Sequence, residues 1–249
     1  MSAKYGMVLD LDRCIGCYAC IVACKMTYGT RQGVNYNGVK PVEWGEYPDA
    51  HQRFVLTMCM HCDDPACRAV CPTGATYKAE NGMVLVDYDK CIGCGYCVSA
   101  CPYGQRHLIR DQEINWPGHV QPYEEESSKR RYVAEKCVFC SGRVAAGDAP
   151  ACTVHCPGQC RVFGDVNDPE SVISKYIKDN NAMQVPGTSL YYVLPAGMDP
   201  GFLPAAYEAP AFVTAKSAGT TLGKVVLGAS AAAVLGSLIA SRTGGKENE

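Results

Sequence analysis

Cys91, Cys94 and Cys97 follow one another with two residues between each, and Cys101 comes after three more, with Pro102 behind it. Thiolates at this spacing can close over three corners of one iron–sulfur cube, while the fourth, carried past on the next helical turn, ligates a second cube. A lone zinc ion is the alternative reading. Zinc sites usually separate a pair of cysteines from the next pair by a longer loop, however, and a CxxCxxC run crowds a single tetrahedral ion. The chemistry expected of this stretch is one-electron transfer.

Three further groups share the pattern. Cys14, Cys17, Cys20 and Cys24 repeat it with Lys25 in place of the proline. Cys59, Cys62, Cys67 and Cys71 carry a longer gap before the third cysteine and end on Pro72; Cys137, Cys140, Cys152 and Cys156 carry a gap of eleven residues and end on Pro157. Cys160 stands outside these groups and is expected to be a spare, partly buried side chain. Sixteen spaced thiolates are enough for four [4Fe-4S] clusters with four ligands each.

The groups form two halves of an internal repeat. Gly6-Met7-Val8-Leu9 ahead of Cys14 returns as Gly82-Met83-Val84-Leu85 ahead of Cys91, and Pro65-Ala66-Cys67 with Cys71-Pro72 returns as Pro150-Ala151-Cys152 with Cys156-Pro157. Because the fourth cysteine of a ferredoxin group serves the other cube of its pair, the groups must pair. The second and third are joined by one hairpin, so they are expected to form one unit, with the first and fourth closing around it. The sets are then Cys14, Cys17, Cys20 with Cys156; Cys137, Cys140, Cys152 with Cys24; Cys59, Cys62, Cys67 with Cys101; and Cys91, Cys94, Cys97 with Cys71. Sequential pairing of the first group with the second is the runner-up.

Several elements must position these groups. The apolar run Gly6 to Asp10 reads as a strand, residues 27–52 as an irregular connector, and residues 75–86, around Asn81-Gly82, as a tight hairpin. Residues 103–131 turn polar and read as a solvated loop. Asp168-Pro169-Glu170 should cap and start a helix running to about Asn180, with Val172, Ile173, Tyr176 and Ile177 on one face. Leu190 to Leu194 reads as a strand, and the prolines of 195–215 as an extended arm. The whole is an α+β, loop-rich chain, divided as 1–52 with 132–194 (outer unit), 53–131 (inner unit), 195–218 (arm), 219–241 and 242–249.

Composition excludes other classes. Seventeen cysteines in 249 residues would suit a disulfide scaffold in a small secreted chain, but here they stand in tight CxxC groups and no export signal opens the sequence, so folding in the cytosol is expected. A net charge of −2 gives no case for nucleic acid. His61 and His155 lie beside ligands, yet every cube already has four cysteines, so packing is the expectation for both. Gly219 to Lys224 lacks the first glycine and the final Ser/Thr of a phosphate loop. No dinucleotide turn and no nucleophile with a base is present, so no catalytic residue and no substrate of its own are expected.

The four groups in this order, the inserted loops in the second and fourth, and the segment from Cys156 through Arg161-Val162-Phe163-Gly164-Asp165 resemble the electron-transfer iron–sulfur subunits of the dimethyl sulfoxide reductase family, over roughly residues 5–194. That resemblance implies two ferredoxin-like units carrying four [4Fe-4S] clusters in a line. A molybdopterin catalytic subunit would stand at the Cys14 end and a membrane quinone partner or a soluble donor at the Cys59 end. A free-standing polyferredoxin is the alternative, disfavoured because the long connectors would be idle surface in a free carrier. Association with a membrane as part of a complex follows, on the cytoplasmic face, or the periplasmic one if a signal-bearing partner carries the folded chain across. Residues 219–241 reach about 34 Å as a helix against a hydrocarbon core of ~30 Å, and Gly228, Ala232, Gly236 and Ala240 recur every four residues on one face. A single tail anchor packed on a partner helix is the reading, against an Ala/Gly tail without a membrane role.

Overall fold

The computed structural model describes residues 2–108, 130 and 132–207. The expected anchor at 219–241 lies outside them, as does most of the polar segment 103–131. Among the described residues no helix is long and apolar enough to cross a membrane.

Strand β1 (Tyr5–Asp10) sits inside a four-stranded sheet between β8 (Arg161–Asp165), which runs antiparallel to it, and β10 (Leu190–Val193), which runs parallel; β9 (Met183–Gln184) closes the far edge. Met7, Val8 and Leu9 are all fully buried, so β1 has no solvent face, as its unbroken apolar run requires. Leu9 pairs with Arg161, and the Asp10 amide donates to the Cys160 carbonyl at 2.8 Å. This register brings the entry to the first cysteine group beside the exit from the fourth.

Residues 27–52 depart from the expected irregular connector. They hold β2 (Asn37–Trp44), which pairs antiparallel with β3 (His51–Met58) from Asn37 opposite Met58 to Trp44 opposite His51. Pro41 argued against a strand, but a two-stranded ribbon leaves edges on which a missing N–H costs nothing. Val39, Val55, Leu56 and Met58 are buried, and the Tyr192 hydroxyl donates to the Leu56 carbonyl at 2.8 Å, tying the ribbon to the main sheet.

The expected hairpin is present as β4 (Thr76–Lys78) and β5 (Val84–Val86). Gly82 takes a φ of 81° and the Asn81 side chain accepts from the Met83 amide at 3.2 Å, which is why this pair of residues turns the chain. A shorter ladder joins β6 (His107–Leu108) to β7 (Ala134–Glu135). Helix α1 (Ala19–Tyr28) is the long element of the cysteine region; α2 (Ala66–Ala69), α3 (Tyr96–Ser99), α4 (Ser141–Ala145) and α5 (Ala151–Val154) are single turns. The arm begins with a 3-10 turn at Pro200–Phe202.

The C-terminal helix α6 (Val172–Asp179) starts later than expected. Asp168 accepts from the Glu170 amide at 2.9 Å and forms a turn, while Ser171 is the cap, its hydroxyl accepting from the Ser174 amide at 3.2 Å. Of the expected apolar face only Ile173 is fully buried; Val172 is 72% exposed. Ile173→Ala should therefore destabilise by about 2–5 kcal/mol, whereas Val172→Ala should stay within about 0.5 kcal/mol. Thermal unfolding of anaerobically prepared protein checks this, and equal shifts for the two variants would refute the packing described.

Candidate functional site

The first CxxC turn of each group places its third residue in the left-handed region: Gly16 at φ 66°, His61 at 44°, Gly93 at 65° and Phe139 at 51°. Such turns point successive backbone N–H groups to one side and make the concavities that hold anionic sulfur. At two of the four the residue must be glycine for a second reason. A Cβ on Gly16 would stand 2.4 Å from the Phe54 ring, and one on Gly93 would stand 2.2 Å from the Tyr132 carbonyl oxygen. The other two carry side chains at a backbone cost of about 1–2 kcal/mol each. His61 and Phe139 stack on each other, with centroids 3.7 Å apart and planes at 13°, a contact that offsets some of that cost.

The cysteines gather across groups. Cys14, Cys17, Cys20, Cys156 and Cys160 line one small cavity with Val39 and Leu56. Cys59, Cys62, Cys67 and Cys101 line a second, with Met60, Val84 and Arg106. Cys24 is buried, and that burial, followed by the charges of Cys137, Cys152 and Cys140, pushes its thiol well up. Burial also raises Cys97, with Arg106 opposing and Cys67, Cys91 and Cys94 adding to the rise. Cys71 accepts from the Thr76 amide at 3.5 Å and meets the Thr73 hydroxyl at 3.8 Å. All seventeen cysteines are free of disulfides.

The last cysteine of three groups opens a common turn. Three residues on, Gly74, Gly104 and Gln159 have φ of 69°, 62° and 49°, and the amides of Gln105 and Cys160 then reach back to Cys101 and Cys156 Sγ, at 3.4 Å each. The group that lacks proline does otherwise. Helix α1 runs on through Cys24, and Lys25 donates to the carbonyls of Thr30, Arg31 and Val34 at 3.0–3.3 Å, fastening the loop that follows.

Cys160 is closer to the site than expected. It is buried, its Sγ stands 3.4 Å from Cys156 Sγ, and its hydrogen bond holds the Cys14 thiol down to about 6. His61 is fully buried and held neutral by burial and by Lys136; its Nδ1 accepts from the Val84 amide at 3.0 Å, so it packs as expected. His155 is exposed.

Sequence reading passed over three of the buried cations, those beside the cysteines. Arg106 donates to Cys67 Sγ at 3.1 Å, and Arg161 to Cys20 Sγ at 3.5 Å and Cys152 Sγ at 3.9 Å. Lys136, fully buried, donates to the carbonyls of Val84 and Cys137. The Nε atoms of Arg106 and Arg161 are buried without a hydrogen-bond partner among the described residues. Thiolate sets faced by amides and guanidinium groups, with donors to spare, are a donor set that fits iron–sulfur clusters.

Comparison with known proteins agrees. A 4Fe-4S dicluster domain matches residues 50–115, a second 4Fe-4S dicluster domain matches 83–157, and a 4Fe-4S binding domain matches 5–26. The chain is 39% identical to the B subunit of selenate reductase from Mesobacillus selenatarsenatis over 196 residues, covering 73% of this chain and 67% of that one. It is 34% identical to the arsenate respiratory reductase iron–sulfur subunit ArrB of a Shewanella species over 229 residues, covering 78% and 98%. To the thiosulfate reductase electron transfer subunit PhsB of Salmonella typhi it is 39% identical over 173 residues, covering 68% and 80%.

The turn geometry makes the glycines unequal. Gly104→Ala, with no atom within 4 Å of the new Cβ, should cost about 1–2 kcal/mol, the left-handed backbone alone. Gly93→Ala must also displace the Tyr132 carbonyl and should lower both the thermal midpoint and the iron content further. Iron assay and melting of the two variants side by side decide it, and equal behaviour would contradict the close approach at Gly93.

Proposed function

This chain belongs to the iron–sulfur electron-transfer subunits of the dimethyl sulfoxide reductase family of molybdoenzymes, and we propose on that footing that it carries four [4Fe-4S] clusters in two ferredoxin-like pairs. It is the electron-transfer subunit and not the catalytic one. The clusters supply one-electron steps at potentials set by their surroundings, within a general range of about −700 to +450 mV.

The observation that carries the pairing is the make-up of the two cavities. Each is lined by the first three cysteines of one group and the last of another, Cys14, Cys17, Cys20 with Cys156 and Cys59, Cys62, Cys67 with Cys101, the first cavity holding Cys160 besides. The same logic gives Cys137, Cys140, Cys152 with Cys24, and Cys91, Cys94, Cys97 with Cys71. The outer unit is then 1–52 with 132–194, and the inner unit 53–131. By analogy with the family, the partner proposed at the Cys14 end is a molybdopterin catalytic subunit; the relatives are named as subunits of reductases. A membrane quinone-interacting subunit or a soluble donor meets the Cys59 end, and the complex is membrane-associated. The chain's own residues hold the clusters, keep water off most of their faces and bring positive charge to the sulfurs.

Anaerobically prepared protein should contain close to sixteen iron and sixteen sulfide per chain; half that iron, or stoichiometric zinc, would sink the reading. Cys160→Ala should leave the iron unchanged. Because Cys160 Sγ stands 3.4 Å from Cys156 Sγ, the pairing is best tested in the Cys156→Ser, Cys160→Ala double variant. It should lose the cluster built on Cys14, Cys17 and Cys20 while the one on Cys137, Cys140 and Cys152 persists, and the reverse loss would overturn the outer-with-outer arrangement.

A further inference from the structure

Arg106 stands five residues after Cys101 and Arg161 five residues after Cys156. The turns between are alike: a left-handed residue at Gly104 or Gln159, then an amide on the cysteine sulfur from Gln105 or Cys160. Each arginine leaves this turn at the start of an extended segment, Arg106 just before β6 and Arg161 as the first residue of β8. Both are nearly sealed from solvent, at 4% and 2% exposure.

The Arg161 guanidinium faces sulfur from two sets at once, and that of Arg106 meets one set directly and acts on a second through its charge. Arg161 spans Cys20 Sγ and Cys152 Sγ, which are the third cysteines of the first and fourth groups. Its Nη1 is steered by Asn37 Oδ1 at 3.1 Å and by the sulfurs of Met7 and Met58. Arg106 reaches Cys67 Sγ, the third cysteine of the second group, and is steered by Thr76 Oγ1 at 3.1 Å. Its charge also acts on Cys97, the third cysteine of the third group. Burial works against each charge, and the thiolates of Cys67, Cys97 and Cys59 for Arg106, and of Cys152, Cys20 and Cys160 for Arg161, offset it. A guanidinium cannot shed its proton, and burying it without an anion costs several kcal/mol. Two such groups, each five residues after the last cysteine of its group and each acting on sulfur of two sets, therefore answer to the anions of both.

We infer that Arg106 and Arg161 are equivalent positioning residues, each spanning the two clusters of one ferredoxin-like pair and holding both of their reduction potentials up. Adding an electron to a cluster adds negative charge, and a fixed cation in a poorly screened interior favours that state. A charge shared between two neighbours lifts them together, so that an electron crossing the pair meets no large step. The inference rests on the ligand sets proposed above.

The test is redox titration of the cluster-loaded full-length protein followed by EPR, with each signal assigned by its loss in single Cys→Ser variants. Sixteen iron and four clusters in the unmodified chain leave the ligand sets standing whatever the arginines do; fewer would break that reading itself. Arg161→Gln should lower the reduction constant of both outer clusters at least tenfold, 59 mV for a one-electron couple, with both inner clusters unmoved. Arg106→Gln should do the converse. Arg161→Lys keeps the charge but cannot span two sulfurs, so the two outer potentials should move apart. If the Gln variants do not load, the Lys variant decides. An unmoved pair in either variant, or an equal fall in all four clusters, overturns the proposal.

Discussion

A thiolate taken out of water is stable only where backbone amides or cations face it, and most of this fold is an arrangement for supplying them. The left-handed third residue of each group's first CxxC turn shapes a concavity of amides, the turns after Cys101 and Cys156 return one more N–H to sulfur, and Arg106, Arg161 and Lys136 add positive charge beside the cysteines. Strand β1 makes the arrangement close. By pairing with β8 it sets the first group against the fourth across some 140 residues of chain, a contact that no local propensity could create.

The internal repeat explains both what is shared and what has drifted. Gly16 and Gly93 are required at the same position for different neighbours, the Phe54 ring in one half and the Tyr132 carbonyl in the other, so the backbone conformation is the common demand and the contact is incidental. In the second and fourth groups the same conformation is met by His61 and Phe139, and their stacking turns two strained residues into a joint. Lys25 marks the other divergence. Where a proline would stop the chain after the fourth cysteine, α1 continues and the lysine gathers three carbonyls of the next loop.

Legibility in the sequence followed the range of the interaction responsible. The cysteine spacing, the Asn81-Gly82 hairpin and the apolar run of β1 are local signals, and the hairpin and the strand have their expected places in the fold. The β2 and β3 ribbon was hidden because Gly38 and Pro41 speak against a strand, while the burial of Val39, Val55 and Leu56 that holds it depends on residues far away in sequence. The start of α6 was misjudged because Asp168 and Ser171 are both good caps, and only the tertiary bond from the Ser171 hydroxyl to the Asp165 carbonyl, at 2.6 Å, selects the later one. Nothing local marks Arg106 and Arg161 as buried, although their equal distance from Cys101 and Cys156 is legible in the sequence.

The proposed line of clusters would need its two ferredoxin-like pairs held at fixed separation, and three side chains form a seam that joins the second and third cysteine groups to the fourth. Phe139 sits in the fourth group and His61 in the second, ring on ring. Lys136, one residue before Cys137, donates to the Cys137 carbonyl and also to that of Val84, on the hairpin strand leading to the third group. The Val84 amide in turn donates to His61, so one residue of β5 is gripped from both sides. The charge of Cys59 is felt at Cys137 across this seam, after burial and Cys152. A buried lysine is an expensive way to join two elements if rigidity alone is wanted, since well-packed apolar residues often do as well. Lys136 also sets a positive charge beside Cys137, where it works against the rise that burial gives that thiol, and in the proposed arrangement it would stand between the two pairs as Arg106 and Arg161 stand within them.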